Sequence, residues 1–455
     1  MKICSNLISS VMLALAVSPA LAQDIYLYPN KKLSDQGLLE YRRYTPEEAE
    51  AYGQGGSFEP YLPLDWGPER RLTEQEYVYR ARVVTGGDSI FVAYSLILGM
   101  ETHFIRSLNA GVEWEPYMTL EDTSRSLFHF WPEILKNGSD LMIGLMIQLQ
   151  GHGNNPCFYR STDLGLSWAP LNEIFPYYSD DISHYSSFSN EEDNVYASYR
   201  NNARDSIYVL RSTNWGGSWD GRGINVAYLS SIPQPMTVRV SGNSVHLVWV
   251  NEEDPISCRY SRSTDGGLTW SEELEISDDS LGAQRVFLAV QNNHVAVCWM
   301  GYKYSPNGFT GDLFIRQSFD SGETWQDEQV LNELHEVRRG TIYIVDSLIV
   351  AVWMDRRFEG GGDEVVARYS HDLGQSWSEE TRLSFGENHS YDPIACATGG
   401  LIHVLWGDIR PDAPGLYYCV NDLSTEIESR ETSPPTNIYI DSYPNPFNGD
   451  RKSVV

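Results

Sequence analysis

The stretch Ser263-Thr264-Asp265-Gly266-Gly267-Leu268-Thr269-Trp270 decides the fold, because its pattern returns five times along the chain. The other copies run Ser107 to Trp114, Ser161 to Trp168, Ser212 to Trp219, Ser318 to Trp325 and Ser370 to Trp377, all reading Ser-x-(Asp/Asn)-x-Gly-x-x-Trp. Their serines stand 54, 51, 51, 55 and 52 residues apart. Every position in the pattern has a physical reason. Asp or Asn accepts hydrogen bonds from the amides just ahead, Gly takes a positive φ, and Trp folds back as an apolar plug. The box reads as a hairpin loop that locks its own blade. A period near 50 residues with several short strands per unit is the signature of a β-propeller.

Working outward from the boxes, each unit carries an alternating apolar strand that ends in an aromatic. Trp249, Trp299, Trp353 and Trp406 close four of these strands, Tyr94 and Tyr199 hold the same place in two others, and Leu145 stands in for the aromatic of the second unit. A further strand begins about fourteen residues before that position, a third leads into the box and a fourth follows it. The seventh unit, Asp392 to Val420, lacks a box. Residues Asp65 to Thr73 read like the segment that follows a box tryptophan, so an N-terminal strand is predicted to complete the last blade. The expected fold is all-β: a propeller of four-stranded antiparallel blades, seven favoured over six. Of the 13 tryptophans, six are box plugs, Trp66 fits the same slot and four end second strands, so the aromatic surplus is mostly architecture.

Composition narrows the function. The 455 residues carry 33 Lys+Arg against 62 Asp+Glu, a formal net charge of −29, which excludes a basic nucleic-acid binder. Residues 1–22 pair Lys2 with the apolar run Val11 to Val17 and end Ala20-Leu21-Ala22, the pattern of a secretory signal peptide. No later apolar stretch approaches the ~20 residues of a membrane span. The expected protein is exported, secreted or at the cell surface, and monomeric. Of six cysteines Cys4 falls in that signal, and the remaining Cys157, Cys258, Cys298, Cys396 and Cys419 are an odd, scattered set with neither a disulfide framework nor metal-ligand spacing, so no metal and no cofactor are expected. Residues 23–65 read as an extension with a short helix opened by Thr45-Pro46-Glu47-Glu48, residues 66–427 as the propeller, and residues 428–455 as a linker and C-terminal segment.

Chemistry in a propeller belongs where the innermost strands start at the funnel face. Counting fourteen back from each second-strand aromatic gives one equivalent position per blade: Arg80, Trp131, Tyr185, Pro235, Arg285, Arg339 and Asp392. Just before them lie Tyr79, Phe130, His184, Gln234, Gln284, Arg338 and Tyr391. Three arginines, a tyrosine and an acid on one funnel suit a carboxylated sugar, because guanidinium forks grip carboxylates at two points. Arg80, Arg285 and Arg339, with Trp131, are the candidate substrate-binding residues, and Tyr185 with Asp392 the candidate catalytic pair. The alternative is that the arginines pair with channel acids and hold the ring together. The recurring Trp353-x-Asp355-x-Arg357 and Trp406-x-Asp408-x-Arg410 patterns favour an ion pair within each blade over catalysis.

The six boxes resemble the Asp-box, or bacterial neuraminidase, repeats of the sialidase superfamily, over roughly residues 66–425. That resemblance implies a six- or seven-bladed propeller and a structural role for Asn109, Asp163, Asn214, Asp265, Asp320 and Asp372 on the face opposite the active site. It also implies a partner among extracellular glycans or glycoproteins; an enzyme of this kind would be a glycoside hydrolase of exo-sialidase type. Arg80 stands where the family places its first triad arginine, though the sequence reads Tyr79-Arg80-Ala81-Arg82 rather than Arg-Ile-Pro. The family's acid/base Asp is missing from the loop Ser95 to His103, which holds only Glu101. Acids do occur in other loops of that face, at Glu252-Glu253-Asp254 and from Glu359 to Glu364. The missing Asp favours the alternative of a non-catalytic glycan- or protein-binding propeller, or a cell-surface module. Ser442-Tyr443-Pro444-Asn445-Pro446-Phe447-Asn448 resembles the opening of the C-terminal sorting domain of type IX secretion substrates, here cut short.

Overall fold

The structure is a computed structural model. It describes residues 66–422, apart from 75–76, 97–100, 121–126, 150–152, 177–178, 180–181, 229–235, 252–255, 278–281, 303–310, 334–336, 359–361, 387–388 and the side chains of 127, 149, 183–186 and 302, together with the backbone of strands Tyr28–Leu33 and Leu39–Arg42. The chain divides into two compact units, residues 1–61 and 62–455. In the first, Tyr28–Leu33 pairs antiparallel with Leu39–Arg42. The signal peptide, the helix at Thr45 and the segment from Ser442 lie outside the described residues.

The second unit holds seven four-stranded antiparallel sheets, six of them in simple sequence order from the first strand outward. The first strands are Val78–Gly86, Leu127–Asn137, Ile182–Glu191, Thr237–Ser241, Gly282–Gln291, Val337–Val345 and Ser390–Thr398. Each packs against the first strands of both neighbouring sheets, and the last meets the first, so the seven ring a common axis. The sheets are therefore blades of a seven-bladed propeller. The seventh blade takes its outer strand from the other end of the chain: Arg70 and Arg71 pair with Tyr418 and Tyr417, and Trp66 bridges to Asn421. Closure removes the open sheet edges that a linear array would leave.

Burial follows the repeat. Trp249, Trp299, Trp353, Trp406, Tyr94, Tyr199 and Leu145 are all buried. They sit in the second strands, where both faces meet neighbouring blades, and this explains why those strands read as nearly continuous apolar runs. The five cysteines are free, and each is buried in a strand. Among the described residues no helix is long and apolar enough to cross a membrane.

The repeat loops differ from the sequence expectation in one respect. Within a loop the serine hydroxyl takes the glycine amide (Gly267 N to Ser263 Oγ 2.8 Å), while the acid takes the amide just before the tryptophan (Thr269 N to Asp265 Oδ1 2.9 Å). The plug, however, packs on the preceding blade rather than on its own. Trp168 lies edge-on to Phe104, Trp325 to Tyr260 and Trp114 to Tyr418, with ring centroids 5.0, 4.9 and 5.3 Å apart. A Cβ on Gly322 would run into Tyr260, and one on Gly111 into Tyr418; both glycines also hold a positive φ, 82° and 78°. A second clasp repeats beside each plug. The side chain before one box serine donates to a backbone carbonyl in the next blade's loop: Arg106 to Leu164, Arg211 to Gly266, Arg262 to Ser321 and Gln317 to Leu373. The periodic sequence thus fastens seams between blades, including the seam between the last blade and the first.

Candidate functional site at the propeller hub

The equivalent inner-strand positions share a backbone irregularity. Pairing slips between Tyr79 and Ala81, between Phe130 and Glu133, between Gln284 and Phe287, between Val337 and Arg339, and between Tyr391 and Ile394. Such bulges re-aim side chains. At four of them the residue identified from the sequence is left-handed: Arg80 (φ 55°), Trp131 (φ 59°), Arg285 (φ 56°) and Asp392 (φ 45°). Left-handed backbone costs bulky residues of order 1–3 kcal/mol. Four copies stand at one level of the funnel, and the repeat loops hold the same conformation at Ala110, Leu164, Trp215, Ser321 and Leu373.

The three arginines converge. Arg339, Arg80 and Arg285 all act on the phenol of Tyr79, and Arg339 hydrogen-bonds to it. Burial alone would raise the Tyr79 pKa, but the three guanidiniums outweigh burial and the net shift is downward. The Arg80 guanidinium stacks over Trp131 at 3.8 Å, and Trp131 meets Tyr79 edge-on at 6.2 Å. Arg339 is ion-paired to Asp392, whose second carboxylate oxygen is buried without a hydrogen-bond partner among the described residues. The structure thus brings together Arg80, Arg285, Arg339, Trp131 and Asp392. Tyr185 lies in the inner strand of blade 3, but its side chain, like that of His184 and all of Gln234 and Pro235, is outside the described residues.

Deeper in the ring is a charged layer that the sequence reading did not single out. Glu133 is buried and pairs with Arg82 at 3.1 Å and Arg239 at 3.5 Å. Both guanidiniums lie over Phe287, 5.6 and 5.5 Å from its centroid. Burial pushes the Glu133 pKa up, but Arg82, Arg239 and Arg80 more than reverse this, so the carboxylate stays ionised. The signal was present: Arg82, Glu133 and Phe287 stand two residues after Arg80, Trp131 and Arg285.

The charge balance of the hub is uneven. Arg80, Arg82, Arg239, Arg285 and Arg339 stand against Glu133 and Asp392. Neither Arg80 nor Arg285 has a carboxylate partner or a side-chain hydrogen bond among the described residues, and Arg80 Nε is a buried donor left unmet. Burial, then the like charges of Arg82 and Arg339, press the Arg80 pKa well below its ordinary value. A buried cation costs free energy until an anion arrives. Arg339 thus pairs with a channel acid, while Arg80 and Arg285 pair with none among the described residues.

Acids elsewhere on the funnel side are committed. Arg357 bonds Asp355 and Glu380, each at 2.5 Å, while Arg410 bonds Asp408 at 2.7 Å and Glu69 at 2.6 Å, the ion pairs expected from the recurring pattern. Glu101 lies 3.4 Å from His103, whose pKa burial lowers to about 4. The loop acids Glu252, Glu253, Asp254 and Glu359 are outside the described residues. Among the described residues no group of three or more His, Cys, Asp or Glu is placed to hold a metal. In the repeat loops, Asn109, Asp163, Asn214, Asp265, Asp320 and Asp372 each accept from the box serine hydroxyl.

No family model matches this sequence, and no curated protein matches it. Solved structures do. The chain resembles the polysaccharide lyase Uly1 at 8% identity over 79% of this chain and 100% of that one, with a TM-score of 0.50. A GH93 α-L-arabinofuranosidase of Fusarium graminearum aligns at 12% identity over 79% of this chain and 99% of that one (TM-score 0.46). The NanB sialidase of Streptococcus pneumoniae aligns at 12% over 84% and 73% (TM-score 0.42). At these identities the likeness is one of fold, and it is to propellers that this chain is similar.

Proposed function

We propose that the hub binds a carboxylated sugar of an extracellular glycan. The observation that carries this reading is the pair of half-buried arginines, Arg80 and Arg285, that lack any carboxylate partner among the described residues of a chain with net charge −29. A sugar carboxylate would take both guanidinium forks, and Trp131 would offer its ring to the sugar's apolar face. The reading takes the protein as exported and monomeric, the six repeat loops as Asp boxes of the sialidase superfamily, and the segment from Ser442 as a sorting signal.

The test is calorimetric titration with N-acetylneuraminate and with glucuronate, neutral sugars serving as controls. Saturable binding of an acid that Arg285→Ala abolishes supports the proposal. Equal response to acids and neutral sugars, or binding indifferent to Arg285→Ala, overturns it.

A second reading, turnover of the glycan, is favoured by one observation, the downward shift of the Tyr79 phenol. A phenolate at Tyr79 would attack the anomeric carbon and displace the aglycone oxygen, and water would then release the sugar. This reading moves the nucleophile from Tyr185 to Tyr79. Asp392, held by Arg339, would orient that arginine on the phenol rather than donate a proton, and the proton for the leaving oxygen would come from an acid of the funnel-face loops. Fluorogenic sialosides and glucuronides measure it directly. Activity lost in Tyr79→Phe with binding retained supports turnover, and an inert wild-type protein across the panel removes it.

A further inference from the structure

A second cluster of positive charge adjoins the hub on the seam between blades 6 and 7. Asp363, which follows the second strand of blade 6, is buried with its side chain 2% exposed and collects three neighbours: Arg338 at 3.5 Å, Arg356 at 3.3 Å and His389 at 3.1 Å. Two guanidiniums on one carboxylate leave one positive charge over. The cations are not used up. Arg338 gives only one terminal nitrogen to Asp363 and Arg356 only its Nε, while their side chains stay 27% and 31% exposed. Arg338 Nε is a buried donor with no partner among the described residues. His389 and Tyr391 stand beside them with ring centroids 5.8 Å apart, giving the cluster an aromatic wall.

The cluster is continuous with the hub through the chain itself. Arg338 precedes Arg339 and Tyr391 precedes Asp392, and Arg339 and Asp392 are joined as an ion pair across the same seam. Consecutive Cα atoms are about 3.8 Å apart, so the backbone that carries the cluster adjoins the backbone that carries the hub.

We infer that this cluster is a second anion subsite and that the ligand is an oligosaccharide carrying at least two acidic residues, the first held by Arg80 and Arg285 and the next by Arg338 and Arg356. The inference rests on the hub reading and extends it from a single acidic sugar to an acidic glycan chain. Asp363 fixes the two guanidiniums as a preset fork, while His389 and Tyr391 flank the second sugar. The hub pair has no carboxylate partner among the described residues and the second pair shares one, so the second subsite holds its group more weakly.

Titration with glucuronate, with a linear tri-uronide, and with free sulfate beside glucuronate tests this. The wild-type protein should bind the tri-uronide about tenfold or more tighter than the monomer, the loss expected for one charge-assisted contact. Arg356→Gln, and separately Arg338→Gln, should erase that advantage while leaving monomer affinity unchanged, and intact monomer binding reports an intact fold. Equal affinity of the wild-type protein for trimer and monomer, or equal losses for both ligands in both variants, overturns the second subsite. Free sulfate should displace both ligands, since the hub is itself an anion site, and sulfate that displaces neither overturns the anion reading of both subsites. A trimer whose binding survives Arg285→Ala but falls in Arg356→Gln overturns the hub reading instead, so the two failures are distinguishable.

Discussion

The seams and the hub are built from the same repeat, yet they treat it in opposite ways. At the seams six of the seven units repeat one solution: a serine, an acid or amide, a glycine with φ near 80° and a tryptophan, seated on the blade before it where the ring contacts show it. At the hub, equivalent positions of the inner strands carry Arg80, Trp131, Arg285, Arg339 and Asp392, and four of these five hold left-handed backbone. Left-handed backbone is common to both regions, since Ala110, Leu164, Trp215, Ser321 and Leu373 hold it in the repeat loops. Uniform residues mark what the ring needs at seam after seam, and different residues at matching positions mark what it needs once.

If that contrast is right, damage at a seam should cost stability and damage at the hub should cost binding. The largest effect is expected from Gly322→Val, which forces a branched side chain into φ +82° and into Tyr260. A loss of about 4 kcal/mol in urea denaturation is expected, combining backbone strain with overpacking. A loss under about 1 kcal/mol would mean that the plug is not what fastens the blades.

Acid should act on the seams next. His246 and His403 are buried, each sharing a 2.7 Å hydrogen bond with the tyrosine behind a plug, Tyr260 and Tyr418. Burial lowers their pKa values to about 3 and about 4. The unfolded chain takes up these protons near pH 6.5 and the folded one does not, so stability present above that pH is lost as pH falls toward 4. For His403 the loss is on the order of 3 kcal/mol across that window, and His403→Gln should flatten the fall measured by denaturant midpoint against pH.

Arg285→Ala sharpens the contrast from the other side. Removing one uncompensated cation should leave the thermal midpoint unchanged or slightly raised, while acidic-sugar affinity drops about thirtyfold or more, the weight of a buried charged contact. A destabilised variant would show that Arg285 braces the ring. The smallest effect is expected from Asp265→Asn, since Asn109 and Asn214 already serve in that place and bond their box serines in the same way. Its denaturation curve should overlay that of the unaltered protein.

Much of this was legible in the sequence, because repetition exposes itself. The boxes, the closing strand at Arg70 and Arg71 and the equivalent hub positions all followed from counting residues. What counting missed has physical causes. The bulges shift each inner strand by a residue, so Tyr79, one place before the counted position, shares the centre with Arg80 and Arg285. Arg82, Glu133 and Arg239 lie in the inner strands of three different blades, and only closure of the ring pairs their charges. The partner of each plug was likewise invisible, because a repeat shows what a unit contains but not which neighbour it touches.

The way the ring closes also sets an order in time. Arg71 hydrogen-bonds the carbonyl of Pro414, 343 residues further along, and the first loop's tryptophan waits for Tyr418. While the chain is being made, the edge that will receive Arg70 and Arg71 does not yet exist, and the first blade stands without a neighbour on one side. Blades 1 to 6 assemble from local hairpins, whereas the final joint waits for the whole propeller sequence and closes last. Until then the nascent protein is an open horseshoe with two bare sheet edges, the state most exposed to misassembly with other chains.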